Sequence, residues 1–110
     1  MFEDKLSSYK LVGEIPVKCT LEESVNSDRT IQTNTFGEIL VSTVFLPFDH
    51  SFSDDGNPIL FETLVFGGEH DGYMLRYHTY EEAIRGHDEV CYMINKLAID
   101  RENKLNDLGV

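Results

Sequence analysis

The chain has no tryptophan, 2 cysteines and 3 prolines, and its 9 basic residues are outnumbered by 20 acidic ones. Each shortage removes a class of function. Cys19 and Cys91 stand far apart and form no Cys-x-x-Cys, so neither a zinc ribbon nor a dithiol redox site is expected. Two thiols beside enough apolar residues for a core fit a reducing compartment. A net charge of −11 argues against nucleic acid, whose phosphates require a basic surface, and against anionic lipid. No apolar run approaches the ~20 residues of a membrane span. The start, Met1-Phe2-Glu3-Asp4-Lys5, carries an acidic pair and no apolar stretch, so no leader peptide is expected. These features together predict a cytoplasmic protein that binds neither nucleic acid nor membrane. Its acidity suits basic partners, cations or solubility alone.

What is present is enough for one domain. The 110 residues are 41% hydrophobic, which supports a single sheet-and-helix core and is too apolar for a disordered chain. Residues 1–28 form a poorly defined N-terminal segment. Within it, Glu14 to Thr20 reads as an extended edge, because Pro16 cannot donate to a ladder, and Thr20-Leu21-Glu22-Glu23 has the capping-box pattern of a short helix. Residues 29–78 read as sheet. Arg29–Thr35 is rich in β-branched residues, Phe36-Gly37-Glu38 is a turn, and strands follow at Ile39–Leu46, Pro58–Phe66 and Tyr73–His78. Residues 79–100 read as a helix: Thr79-Tyr80-Glu81-Glu82 is a second capping box, and Tyr80, Ala83, Ile84, His87, Val90, Cys91, Ile94, Leu97 and Ala98 trace one stripe. Residues 101–110 read as a frayed polar tail. The fold class is therefore α+β, an antiparallel meander of three to five strands packed on one long C-terminal helix. The strongest strands are apolar on both parities, so both sheet faces need cover. One helix covers one face. The N-terminal segment or a second copy must cover the other, and a homodimer is expected.

The chemistry-bearing residues are few. Of the 4 histidines, His87 lies in the apolar stripe of the helix and needs a hydrogen-bond partner there. Glu62 interrupts an apolar strand on the parity of Leu60, Leu64 and Phe66; if that face meets the helix, Glu62 pairs with His87. Together with Asp49 and His50, these residues are the candidate catalytic set for a small hydrolase, with or without a metal. A satisfied buried histidine that fixes helix register is the simpler and preferred account of His87, because nothing in the sequence positions a nucleophile beside it, and Gly86 points to a close approach of another element. Ser51, Ser53, Asp55, Gly56 and Glu62 have calcium-loop spacing, but the first ligand is not Asp and the flanks are not helices, so a polar hairpin loop explains them. No nucleophile elbow and no phosphate loop occur. Arg76, Thr79 and Arg85 cluster around the start of the last helix as candidates for an anionic ligand such as a small nucleotide; an ordinary capped helix explains the same residues. No cofactor is expected.

Ser42-Thr43-Val44-Phe45-Leu46, Asp49-His50, Leu60-Phe61-Glu62-Thr63-Leu64-Val65-Phe66-Gly67-Gly68, Tyr77-His78-Thr79, Glu82-Ala83 and Gly86-His87, in that order, resemble a family of small proteins common in bacteriophages and found in bacterial genomes, as in prophages. The likeness spans roughly residues 39 to 88. Asp49, His50, Glu62, Gly86 and His87 sit on matching positions. The chain departs at Pro47, where the family favours Gly, at His78, where it favours Ser, and at Leu64, where Met is frequent. The family carries no activity to transfer. The resemblance implies a phage setting in a host cell, and with it a small binding protein that counters a host defence by sequestering a nucleotide signal or by binding a host protein.

Overall fold

The computed structural model describes residues 8–26, 28–51 and 56–107. Among them there are six strands and two helices in the order β1 (Ser8–Val12), β2 (Ile15–Cys19), α1 (Leu21–Val25), β3 (Thr30–Phe36), β4 (Ile39–Phe45), β5 (Phe61–Phe66), β6 (Met74–Tyr77) and α2 (Tyr80–Asp107). The fold is α+β. Strands β3-β4-β5-β6 form a four-stranded antiparallel meander, and β1 and β2 form a separate two-stranded sheet. Each local start expected from the sequence is present. Thr20 accepts from the Glu23 amide at 3.2 Å. Thr79 accepts from the Glu82 amide at 3.1 Å, and Glu82 returns a bond from the Thr79 amide at 3.0 Å. Each reciprocal pair satisfies two otherwise orphaned amides at a helix N-terminus.

Two elements differ from the sequence expectation. The N-terminal segment is not featureless: β1 and β2 pair through the two-residue loop Gly13-Glu14, with Val12 opposite Ile15 and Ser8 opposite Cys19. The hairpin docks on the end of the meander, where the Tyr9 amide donates to the Pro47 carbonyl at 2.9 Å. Helix α2 also runs beyond residue 100 to Asp107. Arg101 to Asp107 contains no proline or glycine and is made largely of good helix formers, so nothing in its chemistry stops the helix before Gly109.

The odd-numbered side chains of β4 and β5 face α2. Val41, Phe45, Phe61 and Val65 are buried there with Ala83, Val90 and Ile94 of the helix. The hairpin adds Tyr9 and Leu11 to the same side, against Phe45, Leu60, Phe61 and Ala83. It therefore extends the helix-side core and leaves the even-numbered face open. That face carries Leu40 opposite Phe66, Val44 opposite Glu62, and Leu64 opposite both Ser42 and Met74. The apolar residues on both parities of β4 do not reflect cover on both faces by the described residues.

Gly86 marks the closest approach of helix and sheet. A Cβ built there would run into the Tyr77 ring, meeting Oη, Cε1 and Cζ. Tyr77 in turn donates to Thr63 Oγ1 at 3.0 Å, so its position is held from the other side. Helix propensity favours alanine over glycine by about 1 kcal/mol, yet Gly86→Ala is expected to lower stability by about 1–3 kcal/mol, because the ring must move. Gly86→Leu is expected to be worse. Thermal melts decide, and a cycle with Tyr77→Ala isolates the cause: with the ring gone, Gly86→Ala becomes neutral or stabilising.

Candidate functional site

The sequence directs attention to His87, and the structure surrounds it with hydroxyls. It lies on the sheet-facing side of α2 and is fully buried, at 0% exposure. Its Nδ1 lies 2.6 Å from Thr43 Oγ1 on β4, and Thr43 Oγ1 lies 2.5 Å from Thr63 Oγ1 on β5. Tyr77 on β6 donates its hydroxyl to Thr63. On the other side, His87 Nε2 lies 2.7 Å from Asn34 Oδ1 on β3. One hydrogen-bonded chain thus takes a residue from every strand of the meander and one from the helix.

The chain has a direction. Asn34 Oδ1 is an acceptor only, so Nε2 carries the proton and Nδ1 accepts. Thr43 then donates to Nδ1, Thr63 donates to Thr43, and Tyr77 donates to Thr63. Every hydroxyl proton is used, and no buried polar side-chain atom among the described residues lacks a partner. Protonating Nδ1 would turn Thr43 from donor to acceptor at the imidazole and leave its hydroxyl proton to find another partner. Burial acts in the same direction and holds the His87 pKa below its ordinary value, against a smaller opposing pull from Asp88. Burial likewise raises the Tyr77 phenol, with the bond to Thr63 working against it.

Glu62 is not the partner of His87. Its even parity places it on the open face, where its Oε2 accepts from Arg76 Nε at 3.0 Å. The face that meets the helix is the odd one, because it holds Val41, Phe45, Phe61 and Val65. Asp49 and His50 lie apart from both. Asp49 accepts from the Ser51 amide and hydroxyl at 2.8 and 2.9 Å and from the Ile59 amide at 2.9 Å, tying the two ends of the β4–β5 loop. Burial pushes its pKa up, but these bonds, aided by His50, outweigh burial and leave it below the ordinary carboxylate value. His50 Nδ1 lies 2.7 Å from the Phe48 carbonyl. His78 Nδ1 lies 3.0 Å from the Pro58 carbonyl, and the His70 ring stands edge-on to Tyr73. The structure does not bring the four candidate catalytic residues together. Among the described residues no group of three or more His, Cys, Asp or Glu side chains is placed to hold a metal. Ser53 and Asp55 of the calcium-like spacing lie outside the described residues.

The candidate anion ligands do not converge either. Arg76 is on the open face with Glu62, whereas Arg85 points outward from α2 and reaches Glu81 at 3.4 Å. The sheet and helix lie between the two guanidinium groups. Thr79 is occupied as the helix cap. What the sequence did not point to is a groove between the hairpin tip and the first turns of α2. Two adjoining hollows of about 520 and 270 Å³ share Glu14, Tyr80 and Glu81. Ile15, Pro16 and Ile84 supply apolar lining; Glu14, Glu81 and Asp88 supply three carboxylates against the one guanidinium of Arg85. The β1–β2 hairpin forms one wall of the groove through Glu14, Ile15 and Pro16.

No protein-family model matches the chain, and neither does any curated protein or solved structure. No helix among the described residues is long and apolar enough to cross a membrane.

His87→Ala is expected to lower stability by about 1–3 kcal/mol at neutral pH, through lost packing and the stranded hydroxyl of Thr43. The pH dependence has a fixed sign. The unfolded chain takes up a proton at His87 near its ordinary pKa of 6.5, while the folded chain resists it. The stability contributed by neutral His87 is therefore complete above that pH and falls as the pH drops below it towards the lowered folded value. The gap between parent and His87→Ala should accordingly narrow from about pH 7.5 to about pH 5 in urea denaturation. A gap that widens on acidification would show that the folded protein favours the imidazolium.

Proposed function

We propose that this protein is a non-enzymatic binding protein of a bacteriophage-infected cell, which engages a host protein and so counters a host defence. The observation that carries this reading is the acidic groove between the hairpin and α2. Its apolar lining of Ile15, Tyr80 and Ile84 suits the aliphatic stem of a lysine or arginine, and the carboxylates of Glu14, Glu81 and Asp88 that line it suit the charged end. A net charge of −11 steers basic partners towards the molecule. The resemblance over residues 39 to 88 supplies the phage setting. Of the two ligand classes considered, a protein segment is better supported than a nucleotide, because Arg76 and Arg85 are separated and each is paired with a carboxylate. The hydrolase reading loses support for a parallel reason: Asp49 and His50 in the β4–β5 loop, Glu62 on the open face and His87 in the core are engaged in three separate parts of the fold. In this reading the host-cell cytoplasm is the site of action and the working species is a homodimer.

Calorimetric titration tests the ligand class. A panel of lysine- and arginine-bearing peptides with apolar neighbours is titrated against the parent and against Glu14→Lys/Glu81→Lys, alongside a panel of cyclic nucleotides. The expected result is peptide binding that weakens as salt is raised and is lost in the charge-reversed variant. Stoichiometric binding of a cyclic nucleotide, equal peptide binding by the variant, or no binding by any probe would each overturn the reading.

A further inference from the structure

We infer that a second copy of this chain covers the open face of the meander, making a two-fold symmetric dimer joined sheet to sheet. The inference rests on the sheet and not on the groove, and it stands whichever ligand the groove takes.

The even-numbered face is apolar and unpartnered. Phe66 and Met74 keep 45% and 43% of their surface in solvent. Leu40 lies opposite Phe66, and Leu64 opposite Met74, so these four side chains form one continuous patch across β4, β5 and β6. The described residues include nothing that packs on it: α2 lies on the other face, and the hairpin joins α2 there.

Charge identifies the occupant. The molecule carries −11, so two copies repel over most of their surfaces. On the open face the charged side chains presented by the paired strands are Glu62 and Arg76, one of each sign, already bonded at 3.0 Å. It is a neutral face on a strongly acidic protein. An equally acidic copy can approach there without bringing unbalanced charge from its paired strands onto the same surface. A basic partner would gain nothing from so neutral a surface. The pair is also self-complementary. A two-fold axis parallel to the strands and between β5 and β6 would set Glu62 of one copy over Arg76 of the other and Leu64 over Met74, an isologous contact.

The edges of the sheet serve this role less well. β6 is only four residues long, and β3 carries a register shift between Thr30 and Gln32. A short strand and a bulge are the devices by which edges avoid pairing.

Light scattering on the full chain at micromolar concentration is the test. Twice the monomer mass of 12.6 kDa is expected. Phe66→Asp and Arg76→Glu should each raise the dimer dissociation constant about tenfold or more, and Glu62→Arg/Arg76→Glu should recover much of the loss caused by Arg76→Glu. Tyr92→Asp, at an exposed position on α2, should leave the mass unchanged. Circular dichroism confirms that each variant is folded, and a variant that melts early is replaced by Met74→Asp. A monomeric parent, an assembly larger than two, or a dimer that survives Phe66→Asp and is lost in Tyr92→Asp would overturn the inference. None of these results depends on a bound peptide, so failure here is distinct from failure of the groove to bind.

Discussion

The hydrogen-bonded chain from Asn34 through His87, Thr43 and Thr63 to Tyr77 is the constraint on which the rest of this fold depends. Apolar packing is non-directional, so burial of Val41, Phe45, Phe61 and Val65 does not by itself fix the register of α2 on the sheet. A buried imidazole does not allow that freedom. Moved by one helical position, it would lose bonds on both nitrogens and leave Thr43 stranded, which is expensive in an apolar surrounding. The same chain explains Gly86. Tyr77 can reach Thr63 only if its ring lies against the helix backbone, and that position leaves no room for a side chain. One polar feature thus sets helix register, the identity of the neighbouring residue and the placement of the edge strand β6.

Surface charge divides the molecule in a complementary way. Acidic side chains collect around the hairpin tip and the outer turns of α2, while the open face of the sheet holds one balanced pair. A sheet-to-sheet dimer leaves both grooves pointing outward on the helix sides, clear of each other. Two grooves on one rigid body can then act together on a partner with two basic segments, and the gain comes from effective concentration without any new contact.

Local features were legible in the sequence because local chemistry determines them. Both capping boxes, the edge role of Pro16, the stripe of α2 and the close approach at Gly86 could be read from spacing and residue type. The N-terminal hairpin was missed, although Val12-Gly13-Glu14-Ile15 has the same glycine-first loop as Phe36-Gly37-Glu38-Ile39, and both glycines take positive φ, 65° and 63°. The difference lay in the flanks: β3 and β4 are rich in β-branched residues, whereas Tyr9-Lys10-Leu11 has no clear period. Which face of the sheet meets the helix was not legible at all. β4 and β5 carry large apolar side chains on both parities, so alternation, the usual guide, was silent. The one polar clue, Glu62, points to the wrong face, while Thr43 and Thr63, which do lie on the helix side, carry no signal of it, since threonine is common in any strand. A threonine facing a core counts as polar only when a partner such as His87 is within reach, and that is a tertiary fact.

The same constraint bears on where function can reside. An acid–base catalyst must exchange a proton with substrate, and a ligand must offer a free lone pair. Both nitrogens of His87 are engaged, and the Tyr77 proton is given to Thr63. Any chemistry at His87 would break the chain that holds α2 in place, so reactivity and stability oppose each other at that residue. The groove and the open face are under no such conflict. Ile15 and Glu81 are mainly solvent-facing, and Phe66 and Met74 keep a large part of their surface in solvent. Side chains at these positions can be set by what binds to them. In a domain of this size, with one small core closed by a single polar chain, the surface is where sequence is free to encode recognition.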